Sequence, residues 1–179
     1  MTNRSSLDLQ ALKDLIRDVP DFPKKGIMFK DITPLLQRAD AFAFAIDSMA
    51  EILSHMPVDA VLGIESRGFI LSPALSYKLN AGFIPVRKQG KLPWKTHEVA
   101  YTLEYGEAVL QIHQDAVTPG MKVAIVDDLL ATGGTAEATA KLVEKMGGTV
   151  VKILFLIELQ FLQGRQRLAR YDVSSLIRY

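Results

Sequence analysis

Two adjacent carboxylates, Asp127 and Asp128, close the apolar run at 123–126 in the string VAIVDDLLATGGT, and small, hydroxylated and glycine residues follow them at once. Ala131, Thr132, Gly133, Gly134 and Thr135 lie where the chain should enter a helix, so their backbone N–H groups and the positive end of the helix point at one spot. Glycine lets the backbone approach an anion closely, and threonine hydroxyls add donors. The five residues read as a phosphate cup. Two carboxylates beside it would repel a phosphate unless their charge faces vicinal hydroxyls or a hydrated cation. A ribose 5-phosphate satisfies both halves. Neither G-x-x-x-x-G-K-[ST] nor G-x-G-x-x-G occurs, so NTP hydrolysis and dinucleotide binding lose their usual signatures.

The elements around this string must deliver it to one place. Leu7, Leu12, Leu15, Ile16 and Val19 recur at helical spacing until Pro20, which predicts a short amphipathic first helix. DFPKKGIMFKDITPLL is too punctuated by proline and glycine for a regular element and reads as an ordered loop. Helical spacing returns over 40–56. AVLGI at 60–64 predicts a buried strand, followed by the polar turn ESRG and a helix up to Asn80. A strand over 83–86 leads into the basic, aperiodic RKQGKLPWKTHE. Segments 99–103 and 108–112 around Gly106 predict a hairpin, or mobile β-arm. A strand over 122–126, a helix over 135–146 stopped by Gly147 and Gly148, and a long strand in VVKILFLIEL complete the pattern. Alternation of strand and helix predicts an α/β fold with a central parallel sheet flanked by helices. Ligands in such folds sit beyond the carboxyl ends of the strands, where ESRG and DDLLATGGT both fall. Ser66 and Gly68 in the first of these turns suit an anion nest, and the fork of Arg67 suits paired phosphate oxygens.

The 179 residues have the length of one domain, or of one with a small appendage. With 49% hydrophobic residues, 23% charged and a net charge of +1, the composition gives no support to a whole-surface nucleic-acid or membrane role. No cysteine occurs, which removes disulfides, thiolate zinc sites and thiol nucleophiles. The N-terminus carries charges among its apolar positions, and no segment reaches the roughly 18–20 apolar residues of a membrane span. A cytoplasmic protein is expected. His55, His97 and His113 are scattered, and no dedicated metal cage is visible.

VAIVDDLLATGGT resembles the phosphoribosyl diphosphate (PRPP) binding motif of the type I phosphoribosyltransferases. The likeness extends in order to FPKKGIMFKDITPLL, ESRGF at 65–69, RKQGKLP at 87–93 and YTLEYG at 101–106, and these motifs resemble the branch of the family that uses adenine. The resemblance implies a small N-terminal hood and base-binding segment at 1–36 and a transferase core at 37–179. It implies transfer of the 5-phosphoribosyl group of PRPP to N9 of adenine, giving AMP and diphosphate. Mg²⁺ would serve as cofactor, held mainly by PRPP oxygens and water rather than by protein ligands.

The roles follow residue by residue. Ala131, Thr132, Gly133, Gly134 and Thr135 would hold the 5′-phosphate. Asp127 and Asp128 would bind the ribose hydroxyls and stabilise positive charge on the sugar. Arg67 resembles the family's diphosphate-loop arginine, with Ser66 beside it, and Arg87, Lys88 and Lys91 would complete the diphosphate site. Arg87 matches a position that reaches across a dimer interface, so a homodimer is expected. Glu104 would close over the substrates with the arm and meet the imidazole side of the purine. Phe29 would stack on adenine, while backbone groups of Met28 and Lys30 read its edge. Two departures stand out: Lys25 replaces the commoner proline of F-P-x-P-G, and Lys30 stands where arginine is common. Trp94 either packs the basic loop down or covers the site.

Two other readings remain open on sequence. One keeps PRPP chemistry but takes hypoxanthine, guanine, xanthine or orotate, against which the KDITPLL and LEYG motifs argue. The other is a PRPP-sensing regulator that binds without reacting, which should carry a nucleic-acid-binding appendage that the short N-terminal segment does not offer.

Overall fold

The computed structural model describes residues 7–103 and 106–179. They fall into two compact units, 1–48 and 49–179.

In the first unit, helix α1 (Leu9–Asp14) starts on Asp8, whose carboxylate accepts the Ala11 N–H at 2.8 Å. It is shorter than its apolar spacing predicts. The chain leaves it to form strand β1 (Arg17–Pro20), which pairs antiparallel with β2 (Met28–Asp31) in the register Arg17↔Asp31 to Pro20↔Met28. The segment expected as a loop therefore contains the turn and second strand of a hairpin, whose first strand takes the end of the predicted helix. Its turn is closed by Asp21, which accepts the Gly26 N–H at 2.7 Å. Phe22 meets Phe29 edge to face at 5.0 Å, and Lys30 Nζ lies 2.5 Å from Asp18. Cross-strand contacts of this kind outweigh a weak local helical preference. Helix α2 (Thr33–Gln37) follows, and α3 (Ala39–Leu53) runs on from the first unit into the second.

The second unit holds a seven-stranded sheet made of β3 (Ala60–Ile64), β4 (Gly82–Lys88), β5 (Thr96–Leu103), β6 (Gly106–His113), β7 (Lys122–Leu130), β8 (Thr149–Glu158) and β9 (Val173–Arg178). Its spatial order is β5-β6-β4-β3-β7-β8-β9. The five strands from β4 to β9 run parallel, as the alternation predicts. The β5/β6 pair is antiparallel and joins the sheet through Arg87↔Gln111 and Lys88↔Leu110. Helices α4 (Gly68–Leu79) and α5 (Gly134–Lys145) make the crossovers after β3 and β7. A 3-10 turn (Gln160–Leu162) and the four-residue α6 (Gly164–Arg167) connect β8 to β9. The core runs through the fully buried Leu62, Ile64, Val123, Ile125, Ile153 and Phe155, with Leu142 and Val143 of α5 packed against them.

Candidate active site

Strands β3 and β7 are hydrogen-bonded neighbours, Ala60↔Val123 to Gly63↔Val126, so the turns at their carboxyl ends lie side by side. Strand β7 continues four residues beyond the predicted end at Val126, because β8 pairs with it through Asp127↔Phe155 and Leu130↔Glu158. Asp127 and Asp128 are thus strand residues, fixed by the sheet rather than carried on a loop. Asp127 Oδ1 accepts the Asp128 N–H at 2.9 Å. It also lies so close to the start of α4 that a Cβ on Gly68 would come within 2.9 Å of it. Asp128, only 4% exposed, pairs with Arg67, whose Nε is 2.9 Å from Oδ2. Arg67, Asp127 and Asp128 are therefore brought together at the head of α4.

Burial pushes the Asp127 carboxyl well above the ordinary carboxylate range, and the neighbouring Asp128 charge pushes it further. Burial also raises Asp128, against the opposing pull of the Arg67 guanidinium.

Residues 131–135 lie where β7 passes into α5. Gly133 caps α5 with φ 81°, a conformation in which a side chain would be strained, and Gly134 begins the helix. Ala131, Thr132, Gly133, Gly134 and Thr135 line a cavity of about 80 Å³, with Asp127 at its edge and Phe155 of β8 in its wall.

The basic loop is organised by a residue that sequence reasoning passed over. Glu65, which follows β3, accepts from Arg87 Nε at 3.1 Å, Lys91 Nζ at 2.6 Å and the Lys88 N–H at 3.3 Å. Arg87 also donates to the Lys91 carbonyl at 3.0 Å. Burial alone would raise the Glu65 carboxyl, but these cationic donors outweigh it and hold its pKa at about 2. Arg87 and Lys91 are thereby anchored at the end of the strand that leads to Ser66, which is exposed, and to Arg67. The only signal in the sequence was an acid between a buried strand and an arginine. Trp94, 54% exposed, meets His113 edge to face at 6.3 Å.

Met28, Phe29 and Lys30 lie on β2 in the first unit. The Lys30 side chain is engaged by Asp18, while Met28 is exposed and Phe29 half-buried. Glu104 lies outside the described residues. Among the described residues, no cluster of three or more metal-ligating side chains occurs.

Comparison with known proteins agrees with this geometry. Residues 35–176 match the phosphoribosyl transferase domain. The chain is 55% identical to an adenine phosphoribosyltransferase of Acidobacterium capsulatum over 174 residues, 97% of this chain and 96% of the relative. Among solved structures, the adenine phosphoribosyltransferase of Thermoanaerobacter pseudethanolicus superposes with a TM-score of 0.94 at 53% identity, covering 96% of this chain and all of that one. The Saccharomyces cerevisiae enzyme, solved with adenine and an imino-altritol bisphosphate, gives 0.89 at 38% identity over 94% of this chain and 97% of its own. The similarity runs along nearly the whole chain, and the chain belongs to the phosphoribosyltransferase family, in its adenine phosphoribosyltransferase branch.

Proposed function

We propose that the chain transfers the 5-phosphoribosyl group of PRPP to N9 of adenine, giving AMP and diphosphate, a purine-salvage reaction. The observation that carries the assignment of roles is the convergence of Arg67, Asp127 and Asp128 next to the cup at the ends of β3 and β7. The N–H groups of the cup and the hydroxyls of Thr132 and Thr135 take the 5′-phosphate. Asp127 and Asp128 take the ribose hydroxyls. When the C1′–diphosphate bond breaks ahead of bond formation to N9, positive charge grows on the sugar, and a fixed carboxylate pair stabilises it without reorganising. The burial that disfavours the Asp127 charge in the free protein is offset as that positive charge appears.

Diphosphate leaves toward Arg67 and Ser66 at the head of α4, with Arg87, Lys88 and Lys91 gathered behind Glu65. Adenine lies against Met28, Phe29 and Lys30, and Glu104 meets its imidazole edge, where the N9 proton must leave. Residues 1–36 supply the hood and 37–179 the transferase core. A Mg²⁺ ion would arrive with PRPP and be held mainly by diphosphate oxygens, ribose hydroxyls and water, while Asp127 and Asp128 hold the ribose hydroxyls. The chemistry such an ion would supply is neutralisation of charge on the departing diphosphate.

A homodimer completes the reading. Its support is an exposed apolar stripe on α4, Ile70, Pro73 and Tyr77.

The test is initial-rate AMP formation from PRPP and adenine with Mg²⁺, beside hypoxanthine, guanine and orotate. Adenine alone should turn over, and Asp127→Asn should lower kcat by about a hundredfold or more. Faster turnover of another base would overturn the base assignment, an unchanged kcat in the variant would remove the carboxylate role, and PRPP binding without turnover would make the chain a sensor.

A further inference from the structure

The segment between β8 and β9, for which the sequence pattern predicts no element, has its backbone directly on residues 131–133. Gly164 is buried, and a Cβ built on it would come within 2.1 Å of the Ala131 carbonyl oxygen and 3.0 Å of the Gly133 nitrogen. The contact is reciprocal: a Cβ on Gly133 would come within 2.6 Å of the Gly164 carbonyl oxygen. Real Cβ atoms do not approach backbone this closely, and here both sides are main chain, which cannot swing aside as a flexible side chain would.

Gly164 is itself held from behind. Its neighbour Arg165 forks onto Glu158, donating to Oε1 through Nε at 3.0 Å and to Oε2 through Nη2, and donates from Nη1 to the Val173 carbonyl at 2.7 Å. Glu158 is 4% exposed, and its carboxyl is held below the ordinary range by the Arg165 bond first, against burial, with help from Ser175. Beyond Glu158, the Leu159 N–H donates to the Leu130 carbonyl at 3.0 Å, which ties the start of the segment to the residue before the cup. At its other end Leu168 is fully buried in the core. The segment is a strap anchored at both ends and in the middle, with a glycine at the one point where it crosses Ala131 and Gly133.

We propose that Gly164 is a positioning residue for the 5′-phosphate, and that the Arg165–Glu158 fork sets the height at which it bears on the cup. The N–H groups of the cup bind a phosphate only if they converge, and the Ala131–Gly133 backbone that aims them has the strap as one wall. Displacing reacting or binding groups by about 1 Å can cost up to a hundredfold. Neither residue touches substrate; both act through the cup. The inference rests on the reading of residues 131–135 as the 5′-phosphate site.

The test compares binding of ribose 5-phosphate and of Mg²⁺-diphosphate by calorimetry, together with the KM values for PRPP and adenine. The proteins are the wild type, Gly164→Ala, Arg165→Lys and the double variant Thr132→Ala/Thr135→Ala. Gly164→Ala should weaken ribose 5-phosphate by about tenfold or more and raise the KM for PRPP in step, with diphosphate binding and the KM for adenine within about twofold of wild type. Arg165→Lys keeps the charge but loses the fork, and should weaken ribose 5-phosphate by about threefold with the same selectivity. A general loss of structure would move all four readouts together. If Gly164→Ala fails to fold, Arg165→Lys decides, and parity with wild type overturns the proposal. If the double variant loses ribose 5-phosphate while both strap variants keep it, the cup stands and the strap falls. If the double variant also binds ribose 5-phosphate as wild type does, the assignment of the cup itself fails.

Discussion

Asp127 is kept in a place where its charge is unfavourable. Its carboxyl is buried beside Asp128, so the folded protein binds a proton there more readily than the unfolded chain does. A carboxyl raised in this way lowers stability as pH rises from its unfolded value, near 4, through its folded value, and the loss is complete above the latter. Asn is nearly isosteric and can still accept the Asp128 N–H. Asp127→Asn should therefore melt about 2–5 °C higher than wild type at pH 7 while losing turnover, with the gap closing toward pH 4. An equal or lower melting temperature at pH 7, by calorimetry of the free protein, would show that Arg67 already compensates the charge. Asp127, Asp128, Arg67 and residues 131–135 stood out in sequence because an apolar run, a polar turn and a glycine pair are local patterns, although it is the pairing with β8 that holds the two aspartates in place. Glu65 and Gly164 did not. Glu65 acts through cations about twenty residues away, and Gly164 through a backbone crossing about thirty residues away, and neither separation leaves a local pattern.

At the scale of elements, the differences between expectation and structure have one cause, which is tertiary pairing overriding local periodicity. The first helix ends early because residues 17–20 pair with 28–31, and β7 runs on through both aspartates because β8 offers partners as far as Glu158. Strand β9 went unrecognised since VSSLIR has little alternation, and it is a strand because β8 supplies the edge, Ile153↔Val173 to Glu158↔Arg178. The contact between β8 and the site can be tested at Phe155, 1% exposed, which pairs with Asp127 and walls the cup cavity. Phe155→Ala should cost about 3–5 kcal/mol in urea unfolding through the cavity it leaves. Phe155→Leu should cost only about 1–1.5 kcal/mol, yet still raise the KM for PRPP, because the wall of the cup recedes. Equal costs for the two variants would mean that the site collapses around the gap and that the wall is soft.

For the whole molecule, α4 poses the remaining question, since it is apolar on two sides. Leu71 and Leu75 are fully buried, whereas Ile70, Pro73 and Tyr77 recur at helical spacing on an exposed side, Tyr77 at 91%. A homodimer would bury such an exposed stripe, and a nearly neutral chain offers little repulsion to a second copy of itself. Any reach of Arg87 to a neighbouring site would give up its pairing with Glu65, and would then make dimerisation and diphosphate binding mutually dependent. Sedimentation equilibrium should give a mass twice 19.8 kDa. Tyr77→Glu would bury a charge at the centre of that interface and should shift the protein to monomer at micromolar concentration while raising the KM for PRPP. A variant that remains dimeric would place the interface on another face, and one that becomes monomeric with an unchanged KM would show that each subunit assembles its diphosphate site alone.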